Sequence, residues 1–485
     1  MSTEQGYPAS NLPKTKIVCT LGPATDSVES LRGLIRSGMS IARLNMSHGD
    51  IPTHKETVLK VRAVSKEVGI PVGLMVDVPG AKYRTGPLVS GTETLRDGEA
   101  IVLTSDYLAG NRNRVTVTPP GLHRDASTGG TILVDDGHIE LVALSVTGND
   151  VLCEVVRGGR LTEGRGVVTP GISPSQHFPD EKAIECLKFA AISDADFVAL
   201  STVTKKEDIV TARRILQENG MESPLIISKV ERAEAIENID EIVQESDALM
   251  VARGDMGVEV PLKRVPVIQK DLIRRSNSAG KPVITATQML ESMITSSSPT
   301  RAEVTDVANA VYDGSDAIML SGETSIGQFP IAAVKVMAET AIEAEKALPY
   351  DSMMRERFQQ LEVVTDDVIS FAACQTSNEL GSELIVAFTE SGSSAGRVSR
   401  YRPRSRILAI TPWEKVQNRL TLYWGVFPVI VDKVSDVEEF FSIGEIESRK
   451  VIGSQSNGSV VLVAGTPIGV PGTCLLYTSP SPRDL

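Results

Sequence analysis

The sequence predicts an α/β protein built on a (β/α)8 TIM barrel, and three observations lead to this class. Eight apolar runs alternate with amphipathic helical stretches over most of the first 340 residues. Each run is followed by glycine or a polar residue, as in parallel α/β structure. Eight such units favour a closed barrel over an open sheet. The predicted strands begin at Lys16, Ile41, Pro71, Phe197, Leu225, Ala248, Pro282 and Ala317.

Capping residues mark where helices between these strands begin. Thr53 with Glu56 and Thr300 with Glu303 have the Thr-x-x-Glu spacing in which two residues cap each other's backbone amides. Each pair precedes apolar residues at helical spacing. We therefore expect one helix to start at each of these threonines.

The regular spacing breaks once, because about 120 residues separate the third predicted strand from the fourth. Residues 87–180 instead carry short alternating segments joined by Asp-Gly, Gly-Gly and Gly-Asn turns. They predict a small β-barrel or sandwich, a lid domain inserted over the end of the third strand. The large barrel is then divided into residues 12–86 and 181–346.

A third domain follows the linker ALPYDS and covers residues 352–473. Its apolar runs LIVAFT, RILAIT, FPVIV and VVLVAG alternate with helical stretches, which predicts an open α/β sheet. Residues 474–485 are rich in serine and proline and unlike a strand. We expect them to be a foreign or disordered tail.

Composition limits the classes of partner. The 485 residues include 49 Lys and Arg against 62 Asp and Glu, a net charge of −13. No basic field extends over the sequence to gather nucleic acid or an acidic membrane, so an anionic substrate has to be held locally. The longest apolar stretches run about eight to ten residues, whereas roughly 20 are needed to span a bilayer. We therefore expect no nucleic-acid or membrane partner and a cytoplasmic location.

Polar residues close most of the predicted barrel strands, at the end where barrels of this kind carry their active sites. Pairs spaced by two, such as Lys229 and Glu231, lie on the same side of a strand. Charged strand ends also form ion pairs that only close a barrel, but six strands contributing together favour a shared site. The residues concerned are Arg43, Asn45, Ser47, Asp77, Lys229, Glu231, Arg253, Asp255, Thr287, Ser321 and Glu323.

Two carboxylates and two cations among these residues indicate the chemistry. Glu231 and Asp255 suit a hard divalent cation that keeps some waters and takes further ligands from a substrate. Arg43 and Lys229 supply positive charge for a phosphate, and the amides of Gly254 and Asp255 suit a carboxylate. The sequence has no Walker, protein-kinase or dinucleotide-binding motif, so nucleotide chemistry would use another scaffold.

The chain resembles the pyruvate kinase family in seven segments, taken in order: TKIVCTLGPAT, ARLNMSHG, IISKVE, VARGDMGVEV, ATQMLESM, PTRAEVTDVANAV and DAIMLSGET. The likeness covers roughly residues 12–473, and the two additional domains are similar to the family's lid and regulatory domains. The resemblance implies a glycolytic enzyme that transfers the phosphoryl group of phosphoenolpyruvate to ADP, giving pyruvate and ATP. It also implies a homotetramer.

Catalytic roles follow from the resemblance, position by position. It implies that Lys229 stabilises the transferring phosphoryl group, that Arg43 binds phosphate and that Thr287 lies near the substrate carboxylate and methylene. Ser321 and Glu323 resemble part of a polar relay that delivers a proton to the enolate through water. A loose phosphoryl transfer is catalysed mainly by alignment and charge compensation, which these residue types supply.

The resemblance also implies sites for a metal ion and for the nucleotide. Glu231 and Asp255 look like the family's Mg²⁺ or Mn²⁺ ligand pair. Pro23, His48 and Arg84 align with residues around the nucleotide. A purely structural capping role for His48 is equally consistent with its position.

A turn of the third domain is a candidate effector site. The segment TESGSSA follows the strand LIVAFT and precedes an amphipathic helix, so it forms either a phosphate-binding nest or a polar capping turn. The resemblance implies a phosphorylated allosteric effector at this place. The candidate residues are Thr389, Ser391, Gly392, Ser393 and Ser394.

The third strand departs from the family pattern, because it reads MVDVPGAKYRTG where LDTKGPEIRTG is common. The resemblance implies a K⁺ site at Asn45, Ser47, Asp77 and Val78, and Lys82 takes the position of a glutamate that accompanies potassium dependence. A lysine ammonium is a compact point charge, so we expect Lys82 to replace K⁺. The alternative is that Lys82 only reaches solvent at the lid hinge. We predict turnover without K⁺.

Two other functions stay open from the sequence. A metal-dependent barrel lyase or aldolase acting on pyruvate-like acids also needs a carboxylate pair and an arginine, but the large lid argues against it. A ligand-sensing protein that lost turnover fits the altered third strand, although Lys229, Glu231, Asp255 and Thr287 are all present. Formation of pyruvate that depends on ADP distinguishes the three.

Overall fold

The computed structural model describes residues 12–80, 82–172, 178–360, 364–434, 437–452, 459–464 and 475–479. These residues form a closed eight-stranded barrel, a closed seven-stranded barrel, a two-stranded sheet and a five-stranded sheet. Strands and helices are numbered in chain order below. The predicted class, a (β/α)8 barrel with an inserted β-barrel and a C-terminal α/β domain, is confirmed.

All eight predicted strands form the large barrel, and each pairs in parallel with its neighbours. The barrel closes where the first strand meets the last, with Lys16 level with Ala317. The strands are β1 (Lys16–Thr20), β2 (Met39–Asn45), β3 (Gly73–Val78), β13 (Phe197–Leu200), β14 (Ile226–Val230), β15 (Ala248–Ala252), β16 (Val283–Ala286) and β17 (Ala317–Leu320).

Both faces of these strands are buried, which explains their continuous apolar runs. In β1, Val18 belongs to an apolar cluster with Ile41 and Met75 of the neighbouring strands. Ile17 and Cys19, on the other face of β1, belong to the larger cluster that includes the surrounding helices. Alternate residues therefore fill the barrel interior and the layer between strands and helices.

One of the two predicted capping boxes is confirmed. Thr300 caps its helix, since its amide donates to Glu303 Oε2 at 2.7 Å and its hydroxyl accepts from the Glu303 amide. The prediction for Thr53 is wrong, because Asp50 caps that helix and accepts from the Thr53 amide at 2.9 Å. Pro52 fits the first helical turn, where a backbone N–H has no partner to lose.

The helices of the large barrel vary from single turns to five turns. They are α1 (Val28–Ser37), α2 (Ile51–Val68), α4 (Glu181–Ile192), α5 (Lys206–Glu218), α6 (Ala233–Glu237), α7 (Ile239–Glu245), α8 (Arg253–Glu259), α9 (Val265–Ser278), α10 (Arg301–Tyr312), α11 (Gly322–Ser325) and α12 (Pro330–Lys346).

The inserted domain has its own apolar core, separate from that of the large barrel. Its seven-stranded barrel begins at Tyr83, four residues before the expected start at 87. The reason is that Tyr83–Thr85 forms a short strand, which pairs with two later strands of the same barrel. The elements are β4 (Tyr83–Thr85), β5 (Thr92–Leu95), β6 (Ala100–Thr104), β7 (Arg114–Thr118), α3 (Leu122–Asp125), β8 (Thr131–Val134), β9 (Ile139–Thr147), β10 (Asp150–Arg157), β11 (Gly159–Thr162) and β12 (Gly166–Val168).

The four strands predicted for the C-terminal domain are confirmed, and they pair in parallel in one open sheet. The elements are α13 (Tyr350–Gln360), α14 (Thr365–Glu379), β18 (Leu384–Phe388), α15 (Ser393–Arg400), β19 (Arg406–Thr411), α16 (Glu414–Leu420), β20 (Val426–Ile430), α17 (Val437–Ile452), β21 (Val460–Ala464) and β22 (Leu475–Ser479).

The expectation that no strand follows residue 473 is wrong. Strand β22 pairs antiparallel with β21 along its whole length, with Leu475 level with Ala464. Its segment LLYTS is rich in residues that favour strands, whereas the serines and prolines that suggested a tail lie after it. Residues 474 and 480–485, the rest of that predicted tail, lie outside the described residues.

A buried ion pair joins the large barrel to the C-terminal domain. Arg402 donates to Asp316 at 2.6 Å and to the Gly314 carbonyl at 2.9 Å. Arg402 is 2% exposed and Asp316 is 5% exposed. Trp424 lies against the guanidinium, with the Arg402 Cζ 5.0 Å from the ring centroid.

None of the helices in the described ranges is long and apolar enough to cross a membrane.

Candidate active site

The predicted catalytic, metal and K⁺ residues lie at or just beyond the carboxyl ends of the large-barrel strands, as expected for this fold. Parallel pairing places Arg43 level with Met75 and Asn45 level with Asp77, so the ends of β2 and β3 form one edge. Lys229 is near the end of β14, and the chain continues directly from that strand into Glu231. The strand ends therefore bring residues distant in sequence to one place.

A buried carboxylate, Asp77, holds the two predicted phosphate-binding cations. Arg43 Nε donates to Asp77 Oδ2 at 2.7 Å, and Lys229 Nζ lies 3.3 Å from Asp77 Oδ1. Burial favours the neutral acid, but Lys229 and then Arg43 outweigh it and lower the pKa of Asp77. Asp77 stays ionised and fixes both cations, which are themselves largely buried.

Glu231 is the most enclosed of the predicted metal ligands. Its Oε1 lies 2.9 Å from Lys229 Nζ, and its Oε2 accepts from the Thr202 amide at 3.1 Å. Burial alone raises the pKa of Glu231, but Lys229 and Lys82 outweigh burial and lower it to about 2. The Lys229 ammonium faces Oε1 and the Thr202 amide faces Oε2, and each carboxylate oxygen has a further lone pair that a metal ion can use.

Lys82 contacts both predicted metal ligands rather than the predicted K⁺ ligands. Its Nζ lies 2.6 Å from Asp255 Oδ1 and 3.5 Å from Glu231 Oε2. Burial disfavours the ammonium, but Glu231 and Asp255 outweigh burial and raise the pKa of Lys82 above its ordinary value. The alternative in which Lys82 only reaches solvent is therefore wrong, since its charge is paired within the site.

The donor set fits a divalent cation. Glu231 and Asp255 are close enough together for one ammonium to bridge them, and hard oxygen ligands of this kind suit Mg²⁺ or Mn²⁺. No cluster of three or more His, Cys, Asp or Glu that is able to hold a metal occurs in the part of the chain described. An ion at this pair would therefore take its other ligands from substrate and water.

The proposed carboxylate-binding amides lie next to Thr287. The Gly254 amide donates to Thr287 Oγ1 at 2.8 Å, so this hydroxyl already satisfies one of the two amides. Thr287 has a left-handed backbone with φ of 71°, and so does Gln288 with φ of 54°. Arg253 donates to the Thr287 carbonyl at 2.7 Å and supports this conformation. These contacts fix the Thr287 side chain at the carboxyl end of β16.

Glu323 uses both carboxylate oxygens to organise the end of β17. Oε2 accepts from the Ser321 amide at 2.7 Å, and Oε1 accepts from the Leu290 amide at 3.0 Å. The Ser321 hydroxyl is buried and makes no hydrogen bond to the described residues. Of the predicted relay pair, Ser321 thus has a free hydroxyl, whereas Glu323 is engaged with backbone.

The predicted K⁺ ligands lie close together, and oxygen atoms of three of them already accept hydrogen bonds from the protein. The Ser47 amide donates to Asn45 Oδ1 at 3.2 Å, and the Val78 carbonyl accepts from the Ser201 amide at 3.1 Å. Asp77 is occupied by the two cations described above. The pairing of β2 with β3 brings the four residues to one edge of the barrel.

The predicted nucleotide residues lie on separate elements with no mutual hydrogen bond among the described contacts. Pro23 begins a short 3-10 turn after β1. His48 is exposed, and its carbonyl contacts the His54 ring at 2.8 Å. Arg84 lies in the small barrel and donates to the Gly164 carbonyl at 3.1 Å. Pro23 and His48 therefore belong to the large barrel and Arg84 to the small one.

Two residues of the buried network were missed in the sequence. Ser201 accepts from Lys229 at 2.7 Å and donates to Asp77 Oδ1 at 3.2 Å, and Thr20 accepts from Arg43 at 2.7 Å. Both lie at the carboxyl end of a barrel strand, Thr20 as the last residue of β1 and Ser201 just after β13. The rule that selected the other strand-end residues would have selected them too.

The candidate effector turn is a helix start in the C-terminal domain. Gly392 has φ of 91°, and its amide donates to Thr389 Oγ1 at 2.8 Å. The Ser393 amide donates to Ser391 Oγ at 3.4 Å. Helix α15 follows from Ser393, with Ser394 in its first turn. The segment is therefore a polar turn that leads into a helix N-terminus, a geometry that both predicted alternatives share.

Two family models match the chain. The model described as "Pyruvate kinase, barrel domain" matches residues 12–334, and "Pyruvate kinase, alpha/beta domain" matches residues 367–475. The chain belongs to the pyruvate kinase family. The predicted resemblance is therefore confirmed, and so is the activity it implied: glycolytic transfer of a phosphoryl group from phosphoenolpyruvate to ADP, giving pyruvate and ATP.

Relatives in the pyruvate kinase family cover nearly the whole chain. The pyruvate kinase of Clostridium acetobutylicum is 40% identical over 463 residues, which span 95% of this chain and 98% of that protein. The pyruvate kinase of Staphylococcus saprophyticus is 41% identical over 462 residues, 95% of this chain and 79% of its own. A crystal structure of a pyruvate kinase from Cryptosporidium parvum superposes with a TM-score of 0.91 at 36% identity, covering 98% of this chain and 97% of that one.

Proposed function

We propose that phosphoryl transfer in this pyruvate kinase takes place over Lys229 and Arg43. The observation that carries the proposal is that one buried carboxylate, Asp77, holds both cations beside Glu231. A transferring phosphoryl group develops charge on its oxygens, and fixed cations stabilise that charge without reorganisation. Arg43 binds the phosphate of phosphoenolpyruvate, and Lys229 stabilises the group in transfer.

The substrate carboxylate is assigned to the start of α8. The Gly254 amide donates to Thr287 Oγ1 at 2.8 Å, so the start of α8 adjoins the Thr287 side chain at the end of β16, and the amides of Gly254 and Asp255 take the carboxylate. The hydroxyl of Thr287 lies near the carboxylate and methylene of the substrate. The Ser321 hydroxyl, which has no protein partner among the described residues, passes a proton to the enolate through water, and Glu323 positions it through the Ser321 amide.

Members of the pyruvate kinase family use a divalent metal ion. We assign that ion, Mg²⁺ or Mn²⁺, to Glu231 and Asp255, since their fit to a hard cation is described above. The bound ion supplies charge compensation for the phosphoryl oxygens. The ionised state of Glu231, which Lys229 and Lys82 favour, prepares it as a ligand.

We also propose that turnover does not require K⁺. Lys82 brings a permanent positive charge next to Glu231 and Asp255, and it replaces the charge that K⁺ would supply at Asn45, Ser47, Asp77 and Val78. Oxygen atoms of Asp77, Asn45 and Val78 are already engaged by protein donors, which supports the proposal.

The remaining assignments concern binding and assembly. ADP binds between the two barrels near Pro23, His48 and Arg84. A phosphorylated allosteric effector binds the turn of residues 389–394, where Gly392 is in the left-handed conformation. The enzyme is a cytoplasmic homotetramer. Light scattering that gives a monomer at micromolar concentration would contradict the tetramer.

One assay tests the central proposal. Purified protein is supplied with phosphoenolpyruvate, ADP and Mg²⁺, and pyruvate is measured by a coupled reaction. We expect pyruvate only when ADP is present. Pyruvate formed without ADP would indicate a lyase-type reaction, and no pyruvate under any condition would indicate a ligand-sensing protein.

A further inference from the structure

A cavity lies near the amino ends of the strands of the large barrel and of the C-terminal sheet, away from the sites described so far. It has a volume of about 540 Å³, within the range of small-molecule sites. Lys14 lines it just before β1, on the amino side of the large barrel, and Arg406 lines it as the first residue of β19. The active site and the candidate effector turn both follow the carboxyl ends of strands. This interdomain cavity is therefore separate from them.

Positive charge dominates the lining of the interdomain cavity. Lys14 from the barrel domain and Arg404 and Arg406 from the C-terminal domain face it, against one acidic residue, Glu383, which is exposed. The chain as a whole carries a net charge of −13. Three cations at one cavity in an acidic protein indicate an anionic ligand.

Two hydrogen bonds hold the Lys14 ammonium in place and leave one of its donors unused. Lys14 is only 8% exposed, and its Nζ donates to the Arg404 carbonyl and, at 3.4 Å, to the Tyr350 hydroxyl. An ammonium has three donors, so one is left. The Glu345 carboxylate already accepts from the amides of Lys14 and Thr15 at 3.0 Å and 2.7 Å.

Nearby charges make a bound anion favourable for Lys14. Burial lowers the pKa of Lys14 to about 8; Glu345 opposes this shift, and Arg406 and Arg404 add to it. Neither Lys14 nor Arg404 forms an ion pair with a carboxylate in the described part of the chain. An anion placed among the three cations would relieve their mutual repulsion and favour the charged lysine.

The rest of the lining suits the carbon skeleton of a small molecule. Leu384, Val451 and Ile452 contribute apolar surface beside the cations. The hydroxyls of Ser377, Ser405 and Ser382 bond to one another or to nearby oxygen atoms, so they shape the cavity without demanding a ligand. Apolar surface beside placed charged groups is typical of small-molecule sites.

We propose that the interdomain cavity binds a small organic dianion, of phosphate-ester or dicarboxylate type, through Lys14, Arg404 and Arg406. The anionic groups bridge a residue of the large barrel and two residues of the C-terminal domain. Bound ligand therefore stabilises the arrangement of the two domains, and the folded protein gains stability as the ligand concentration rises.

Trp424 provides a local optical reporter for this test. Its ring centroid lies 5.1 Å from Lys14 Nζ, and the chain has only one other tryptophan, the exposed Trp413. In the Trp413→Phe protein, Trp424 fluorescence is titrated separately with inorganic phosphate and with succinate, at constant ionic strength. We expect a saturable change with at least one of them, and the anion that binds assigns the class.

Arg404→Gln in the same background is the deciding variant, because Arg404 is exposed and its loss leaves the core intact. We expect the dissociation constant to rise about tenfold or more, as for loss of a charged hydrogen bond. Arg36→Gln removes an exposed arginine of α1 as a matched control and should leave the titration unchanged. The ligand should also raise the melting temperature of the control protein more than that of Arg404→Gln.

Phosphate bound at the active site or at the effector turn would give the same titration with and without Arg404. The proposal is therefore overturned if Arg404→Gln leaves the Trp424 titration unchanged. We expect a dissociation constant between micromolar and millimolar. The proposal is also overturned if neither phosphate nor succinate produces a saturable change at concentrations up to about 100 mM, which is about 100-fold above the upper end of that range.

Discussion

Lys82 and Asp255 are 173 residues apart in the chain, and their side chains form a hydrogen bond of 2.6 Å. The pair connects the hinge before the small barrel to the first turn of α8 in the large barrel. Lys82 also lies 3.5 Å from Glu231, so the protein supplies its own cation to the carboxylates assigned to the metal. Metal binding must therefore compete with an internal charge.

Lys229→Met should abolish phosphoryl transfer while the fold remains. The lysine charge is needed most when charge develops on the transferring group, so kcat should fall about 10³-fold or more. The coupled pyruvate assay measures the loss, and circular dichroism checks the fold. Lys188→Met, on the exposed side of α4, is the control and should keep full activity. A kcat within about tenfold of the unaltered protein would contradict the role of Lys229.

Asp255→Asn and Glu231→Gln should each raise the Mg²⁺ concentration needed for half-maximal activity by about tenfold or more, because each change removes an anionic ligand. Binding of Mn²⁺ measured by electron paramagnetic resonance gives an independent readout. The exposed Glu237→Gln control should leave both curves unchanged. Identical metal titrations in all three variants would remove the assignment.

Lys82→Glu should convert an enzyme that is independent of K⁺ into one that K⁺ activates. The variant replaces the internal cation with a third carboxylate beside Glu231 and Asp255, so an external monovalent ion becomes necessary for charge balance. Activity in tetramethylammonium buffer should fall about 10²-fold and recover on addition of K⁺. Lys55→Glu, an exposed change on α2, is the control. Strong K⁺ activation of the unaltered protein would refute the idea.

Arg402→Met should destabilise the folded protein strongly. It leaves Asp316 buried without its ion-pair partner, a change that costs about 3–5 kcal/mol in comparable buried pairs. Arg397→Met is the control, since Arg397 pairs with Asp366 in a more exposed position and its loss should cost at most about 1 kcal/mol. Urea denaturation compares the two, and adding Asp316→Asn to Arg402→Met should recover part of the loss.

Lys16 should make stability rise with pH. Burial, with a further contribution from Arg406, lowers the pKa of the folded-state lysine to about 7, from 10.5 in the unfolded chain. Between these values the unfolded chain binds more protons, so the free energy of unfolding increases with pH, by up to about 1.4 kcal/mol per pH unit.

Lys16→Met removes this titration and provides the comparison. Urea denaturation of both proteins at pH 7, 8 and 9 gives the difference in the free energy of unfolding. We expect the free energy of unfolding of the unaltered protein to increase relative to that of the variant as pH rises. A difference that stays constant over this range would show that Lys16 remains charged in the folded protein.

The large barrel was predictable because burial on both faces leaves a clear mark in sequence. Every strand of the barrel coincides with an apolar run, and polar residues follow at the edge where the site forms. The three-residue strand Tyr83–Thr85 was missed, because such a short segment shows no alternation. Strand Leu475–Ser479 was misread because the serines and prolines beyond it dominated the composition.

The sequence predicted which residues lie in the site better than it predicted which of their side chains contact each other. The sequence placed Lys82 near the third strand but assigned it to the K⁺ ligands, whereas its charge pairs with Glu231 and Asp255. The partner of Lys82 depends on how far its flexible side chain reaches and on the position of β15, which precedes Asp255. A local sequence pattern contains neither piece of information. Ser201, by contrast, was available to the same rule that found Lys229.

Thr287 illustrates how selection for heat resistance and selection for turnover diverge in this molecule. A β-branched residue at φ of 71°, followed by Gln288 at 54°, costs about 1–3 kcal/mol for each such position. Glycine at 287 would remove that cost, and with it the hydroxyl that meets the Gly254 amide. A library screened only for thermal tolerance should therefore enrich glycine at this position, and the survivors should be hardier but poorer catalysts.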